Sequence, residues 1–136
     1  MKKKLVYSTF LIVVLLMCIN CLKKEVKFDN PIFANFFSEL NNKTVHDFIK
    51  SYYKEKPEYV LAQYRIPLNQ LKDSKSEIVI SDYDQYNGKK LNIDGNTKDI
   101  YIIENDKEII TVVKIEDNKI KYLIPIHKGN ELIGWL

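Results

Sequence analysis

Apolar positions fall into three regimes along the chain. Leu5 to Met17 is a run of thirteen residues broken only by Ser8 and Thr9. From Asn30 to Tyr64 apolar residues recur at helical spacing, and from Glu77 onward they come in short β-rich runs between turn residues. Asn30-Pro31 is a helix start, with Asn as N-cap and Pro at the first helical position. Ile32, Phe33, Phe36, Phe37 and Leu40 then share one helical face, and Asn41-Asn42 ends the pattern. Thr44 opens a second helix, with Asp47 where a capping-box acid would sit. Its stripe is Val45, Phe48, Ile49, Tyr52 and Tyr53. Pro57 closes it and starts a third helical stretch from Glu58 to Tyr64, which Pro67 is expected to stop.

The second half reads as strands. Glu77 to Ser81 holds Ile78-Val79-Ile80, Ser81 to Lys90 is a polar loop, and Leu91-Asn92-Ile93 precedes the hairpin-type pair Asp94-Gly95. Asp99 to Glu104, Glu108 to Ile115 and Lys119 to Ile126 follow, separated by Asn105-Asp106 and Asp117-Asn118. Lys128-Gly129-Asn130 turns the chain into a last strand, Leu132 to Leu136, expected to pair with Lys119 to Ile126 and to bury Trp135. Pro125 lacks an N–H and so belongs at a strand end, a bulge or an outward-facing position of that pairing. The connections are too short for parallel crossovers and predict an antiparallel meander.

Helices first and a meander second make the fold class α+β, with two or three N-terminal helices packed on a C-terminal antiparallel β-meander. That element order resembles the cone-shaped cystatin-like and nuclear-transport-factor-like folds, in which a curved sheet wraps an amphipathic helix. A small SH3-like barrel built from the last strands, cued by Gly134-Trp135, is the alternative.

The first regime carries an address. Lys2, Lys3 and Lys4 precede the apolar run, and Cys18-Ile19-Asn20-Cys21 follows it, before polar Lys23-Lys24-Glu25. A basic start, a short apolar core and an abrupt polar boundary make an export signal. With a cysteine at that boundary, residues 1–21 resemble a bacterial lipoprotein signal. The resemblance implies cleavage before a lipidated cysteine that becomes the first residue of the mature protein. Cys21, behind compact Asn20, fits better than Cys18, which follows Met17 and is the alternative. An uncleaved anchor over Leu5 to Leu22 and an ordinary secretory signal are competing readings. All three place the rest of the chain outside the cytoplasm. The expected organisation is a signal peptide at 1–20, a lipid-anchored tether at 21–29 and one α+β domain at 30–136.

Charge then narrows the partners. The net charge of +3 belongs to Lys2, Lys3 and Lys4, and the remainder carries eighteen residues of each sign. Such a balance lacks the basic footprint of a nucleic-acid binder or of a generic membrane-surface patch. With Cys21 lipidated, the domain has no cysteine, which rules out disulfides, thiol catalysis and cysteine-based zinc sites within it.

No catalytic, cofactor or metal motif stands out. Asp82 and Asp84 sit near Gly88, but an EF-hand count from Asp82 puts Tyr86, Asn87 and Ile93 where a third ligand, Gly and Glu belong. Tyr83 and Tyr86 offer either an aromatic contact surface or a cover for the end of the sheet. His46 and His127 lack ligand-spaced partners, no Gly-x-Ser-x-Gly elbow is present, and the eighteen acids single out no glycosidase pair. Arg65, the sole arginine, suits an ion pair, a stacking contact or a ligand anion. The sequence reading is a lipid-anchored cell-envelope protein whose non-catalytic domain binds a protein or small ligand through Tyr83, Tyr86 or Arg65. An envelope enzyme or enzyme inhibitor acting on peptidoglycan, peptide or glycan is the alternative. A deep cleft converging on His46, Arg65 or paired acids would favour the enzyme.

Overall fold

A computed structural model describes residues 28–88, 92–93 and 95–136. The expected export segment with Cys18 and Cys21, most of the expected tether, Leu91 and Asp94 lie outside the described residues.

Local capping chemistry starts the first two helices. The Asn30 carboxamide accepts from the Ile32 N–H at 2.9 Å, and Pro31 opens α1 (Pro31–Asn42). Thr44 Oγ1 accepts from the Asp47 N–H at 3.1 Å and its hydroxyl donates to the Asp47 carboxylate at 2.7 Å, opening α2 (Val45–Tyr52). These bonds satisfy N–H groups that a helix start leaves without partners.

The third helix corrects the expectation at Pro67. It does not stop near Tyr64, and α3 runs from Glu58 to Asp73 with Pro67 inside. Proline deprives the Gln63 carbonyl of its helical donor. Against that cost stands a buried stripe at helical spacing, Val60, Tyr64, Pro67, Leu68 and Leu71, which includes the proline ring itself. Ending the helix at Tyr64 would withdraw its last three members from the core.

Among the described residues, seven strands form two sheets. β1 (Ile78–Asp82), β3 (Ile100–Asn105), β4 (Glu108–Glu116) and β5 (Lys119–Tyr122) make an antiparallel sheet in the order β1-β3-β4-β5. β2 (Asn92–Ile93), β6 (Pro125–Lys128) and β7 (Glu131–Trp135) make a second sheet in the order β2-β7-β6. The strands do not close into a barrel, so the SH3-like alternative falls. The fold is α+β, with three helices among the described residues followed by a largely antiparallel meander.

Pleating gives the four-stranded sheet two apolar faces. One face, with Ile78, Ile103, Val113, Ile115 and Ile120, packs against Phe33, Phe36, Leu40, Phe48, Tyr64 and Leu68 of the helices. Ile100, Ile102 and Val112 point the other way and pack with Tyr83, Tyr86, Ile93 and Trp135. The helices therefore lie on one face, while the 83–86 turn and the small sheet cover the other.

Two pairings and the burial of Trp135 differ from the sequence reading. The expected single strand from Lys119 to Ile126 breaks at Leu123, sending β5 and β6 into different sheets. Leu123 is fully buried, its N–H held by the Tyr64 hydroxyl at 3.4 Å and its carbonyl by Thr111 Oγ1 at 2.5 Å. Side chains replace the ladder there, so the strand can end without orphaning its backbone. β2 pairs in parallel with β7, where the sequence predicts a hairpin-type turn after it. The exclusion of parallel pairs held only between strands adjacent in sequence, and β3 to β6 lie between these two. Finally, β7 does pair with β6, with Pro125 as first residue of its strand, but Trp135 is half-buried rather than sealed in the core. The β3–β4 turn sits one residue later than expected, with Asp106 and Lys107 both at positive φ; Asp117 and Asn118 match the expected pair. Two successive positive φ values are the type I′ geometry that suits the strand twist.

Candidate functional site

β5 is an edge strand, and an exposed edge has backbone groups without ladder partners. α2 answers this with tyrosine: the Tyr52 hydroxyl accepts from the Ile120 N–H at 3.2 Å. Burial pushes that phenol up to about 12, partly offset by this hydrogen bond. Docking α2 along the edge leaves a cleft of about 400 Å³ between the end of α2 with the α2–α3 connection and the β4–β5 hairpin. Tyr52, Tyr53, Glu55 and Lys56 line one side, and Glu116, Asp117, Lys119 and Lys121 line the other. Its volume falls in the range of small-molecule sites.

Within the cleft the charges sort into two sets. Lys121 lies 2.5 Å from Glu116 and 3.3 Å from Asp117, and Lys114 lies 3.9 Å from Glu116. The hydrogen bond to Glu116, then that to Asp117, pushes the Lys121 amine up, and the same bond holds the Glu116 carboxyl down. Both acids are thus committed to lysines. Lys56 and Lys119 instead rest on rings, 4.0 Å from the Tyr122 centroid and 4.5 Å from the Tyr52 centroid. Such cation–π contacts hold an ammonium in place without neutralising it. Burial, and then the neighbouring charge of Lys121, lowers the Lys56 amine.

Tyr53 completes the wall. It is 3 % exposed and its hydroxyl is buried with no hydrogen-bond partner. Burial first, then the adjacent Tyr52 and Tyr64, drives this phenol well above its ordinary value, so it stays a neutral donor. A buried hydroxyl without a partner typically costs about 1–3 kcal/mol.

The residues singled out from sequence lie elsewhere. Tyr83 is 8 % exposed and packs under the sheet with Ile100, Ile102 and Val112, bordering an open depression shared with Asn92, Lys128 and Glu131. Tyr86 packs against the same cluster and donates to Glu104 at 2.8 Å, a bond that raises its phenol. Both rings therefore cover one face of the sheet. Arg65 is exposed on α3, on the opposite side, with its Nη2 at 3.4 Å from His46 Nδ1. Neither residue lines the cleft. His127 is half-buried on β6.

Asp82 and Asp84 are engaged within their own loop. The Asp82 carboxylate accepts from the Asp84 N–H at 2.9 Å, and Asp84 accepts from the Thr97 hydroxyl at 2.8 Å. No group of three or more potential metal ligands occurs among the described residues. Millimolar calcium is expected to leave the melting temperature unchanged, whereas saturation at a hundredfold excess over Kd would add about 2.7 kcal/mol. A reproducible rise of several degrees in a thermal melt would show that this loop binds calcium.

Sequence reasoning missed the cleft. Tyr52 and Tyr53 read from sequence only as part of a core stripe, and Lys56 and Lys119 belong to no motif. The available signal was the Tyr52-Tyr53 doublet, whose polar ends need partners at the end of a helix, together with the alternating lysines of Lys119-Ile120-Lys121. The sequence matches no protein-family model, and neither a curated protein nor a solved structure is significantly similar to it.

Proposed function

We propose that the chain is a lipid-anchored cell-envelope protein, held to a membrane through Cys21, whose α+β domain binds a protein or small ligand without transforming it. The observation that carries the location is the run from Lys2 to Cys21: basic start, thirteen-residue apolar core and boundary cysteine. No described helix is long and apolar enough to cross a membrane. Several acyl chains on one cysteine would hold the domain stably at a bilayer without further insertion.

The cleft supports binding over catalysis. Its paired acids, Glu116 and Asp117, are tied to Lys121, and His46 and Arg65 lie outside it. What it offers is aromatic wall and fixed ammonium groups, a set suited to holding a ligand. Cys21→Ser is expected to abolish acyl labelling and leave the precursor uncleaved. Labelling that persists in Cys21→Ser but vanishes in Cys18→Ser would move the anchor to Cys18. Labelling absent from the parent protein would reject the anchored reading.

A further inference from the structure

The cleft presents donors whose partners are missing. Among the described residues, Lys56 and Lys119 have no carboxylate within 4.0 Å and meet only tyrosine rings there, while Glu116 and Asp117 are spent on Lys121. Tyr53 adds a buried hydroxyl with no partner in the same wall. Two ammonium groups and a phenol hydroxyl call for an acceptor-rich, negatively charged group.

We propose that this cleft binds a small ligand through an oxyanion, a carboxylate or a phosphate group, seated between Lys56 and Lys119 with the Tyr53 hydroxyl as a further donor. The proposal rests on the binding reading above and names its ligand class. Glu55 on the cleft wall sets a limit: it disfavours ligands with anionic charge spread beyond the seated group. An oxyanion near Lys56 would also offset the repulsion from Lys121 and the burial that together lower that amine.

The test is calorimetric titration of the detergent-solubilised full chain with inorganic phosphate and, separately, with glutarate, each at constant ionic strength. Saturable binding of at least one is expected, with Kd on the order of 1 mM. Lys56→Met with Lys119→Met keeps unbranched stems over the rings and removes both charges. This pair should weaken binding at least about tenfold, since hydrogen bonds to charged groups are the stronger ones. Tyr53→Phe should also weaken binding while leaving the melting temperature equal or higher, because it deletes an unsatisfied buried hydroxyl. That combination keeps the test meaningful if the lysine pair folds poorly. Phosphate binding without glutarate binding assigns a phosphate ligand, and the reverse assigns a carboxylate. If neither anion saturates, or if the lysine pair and Tyr53→Phe bind both anions like the parent, the proposal is wrong. Failure here with Cys21 still acylated retires the oxyanion site alone, whereas binding without acylation retires the lipid-anchored reading alone.

Discussion

Deleting residues 131–136 is expected to abolish cooperative folding of the domain. β7 is the middle strand of the small sheet and pairs with both β2 and β6. It also brings Trp135 against the cluster of Tyr83, Ile100, Ile102 and Val112. Just beyond it, the Leu136 carbonyl takes the Tyr64 hydroxyl at 2.5 Å and the Leu136 N–H donates to Ile124 at 2.9 Å. Tyr64 is fully buried in the helix-side core, so the deletion is felt on both faces of the sheet. Losing partners for buried polar groups costs about 1–3 kcal/mol each. Uncovering the second cluster adds a hydrophobic loss of about 25 cal/mol per Å² of apolar surface. Together these approach the roughly 5–15 kcal/mol that a domain has. Urea unfolding followed by far-ultraviolet circular dichroism reads the outcome. Trp135→Ala alone should cost less than the about 3–5 kcal/mol of a fully buried tryptophan, because the ring is half-exposed. A truncated protein that unfolds at the parent midpoint would show that the small sheet is an ornament.

Phe48→Ala is expected to destabilise by about 3–5 kcal/mol, the range for large-to-small changes at a sealed aromatic. Phe48 is fully buried and meets Phe36 edge-on at 5.2 Å, Tyr52 stacked at 4.9 Å and Tyr53 edge-on at 6.2 Å. It therefore ties α1 to α2 and supports the two tyrosines of the cleft. Tyr59→Ala provides the contrast, since Tyr59 is 69 % exposed and its loss should stay within about 0.5 kcal/mol. Denaturant midpoints at unchanged slope measure both. A Phe48→Ala cost below that of Tyr59→Ala would contradict the core assignment.

Local chemistry was readable ahead of the structure because its causes are local. Asn30-Pro31 and Thr44 with Asp47 start helices through bonds made within three residues, and the apolar stripes of α1 and α2 follow from spacing alone. What failed to show depends on distant partners. Pro67 looks like a stop until its ring is seen buried beside Leu68 and Leu71. Lys119 to Ile126 looks like one strand until Tyr64 and Thr111 arrive to satisfy Leu123. The parallel pair of β2 and β7 joins segments separated by most of the sheet. The cleft has the same origin, since residues 52–56 and 116–121 meet only after α2 docks on the edge of β5. Tyr83 and Tyr86 drew notice as loop tyrosines, yet in the fold they cover one face of the sheet.

On the proposed reading this domain works outside the cytoplasm on a lipid anchor, and the mass of the N-terminal peptide from membrane-isolated protein decides it. The expected product is a mature chain beginning at Cys21, without residues 1–20, and heavier than its sequence by the mass of its lipid. An N-terminal peptide that still begins at Met1, with Cys18 and Cys21 both unmodified, would contradict it.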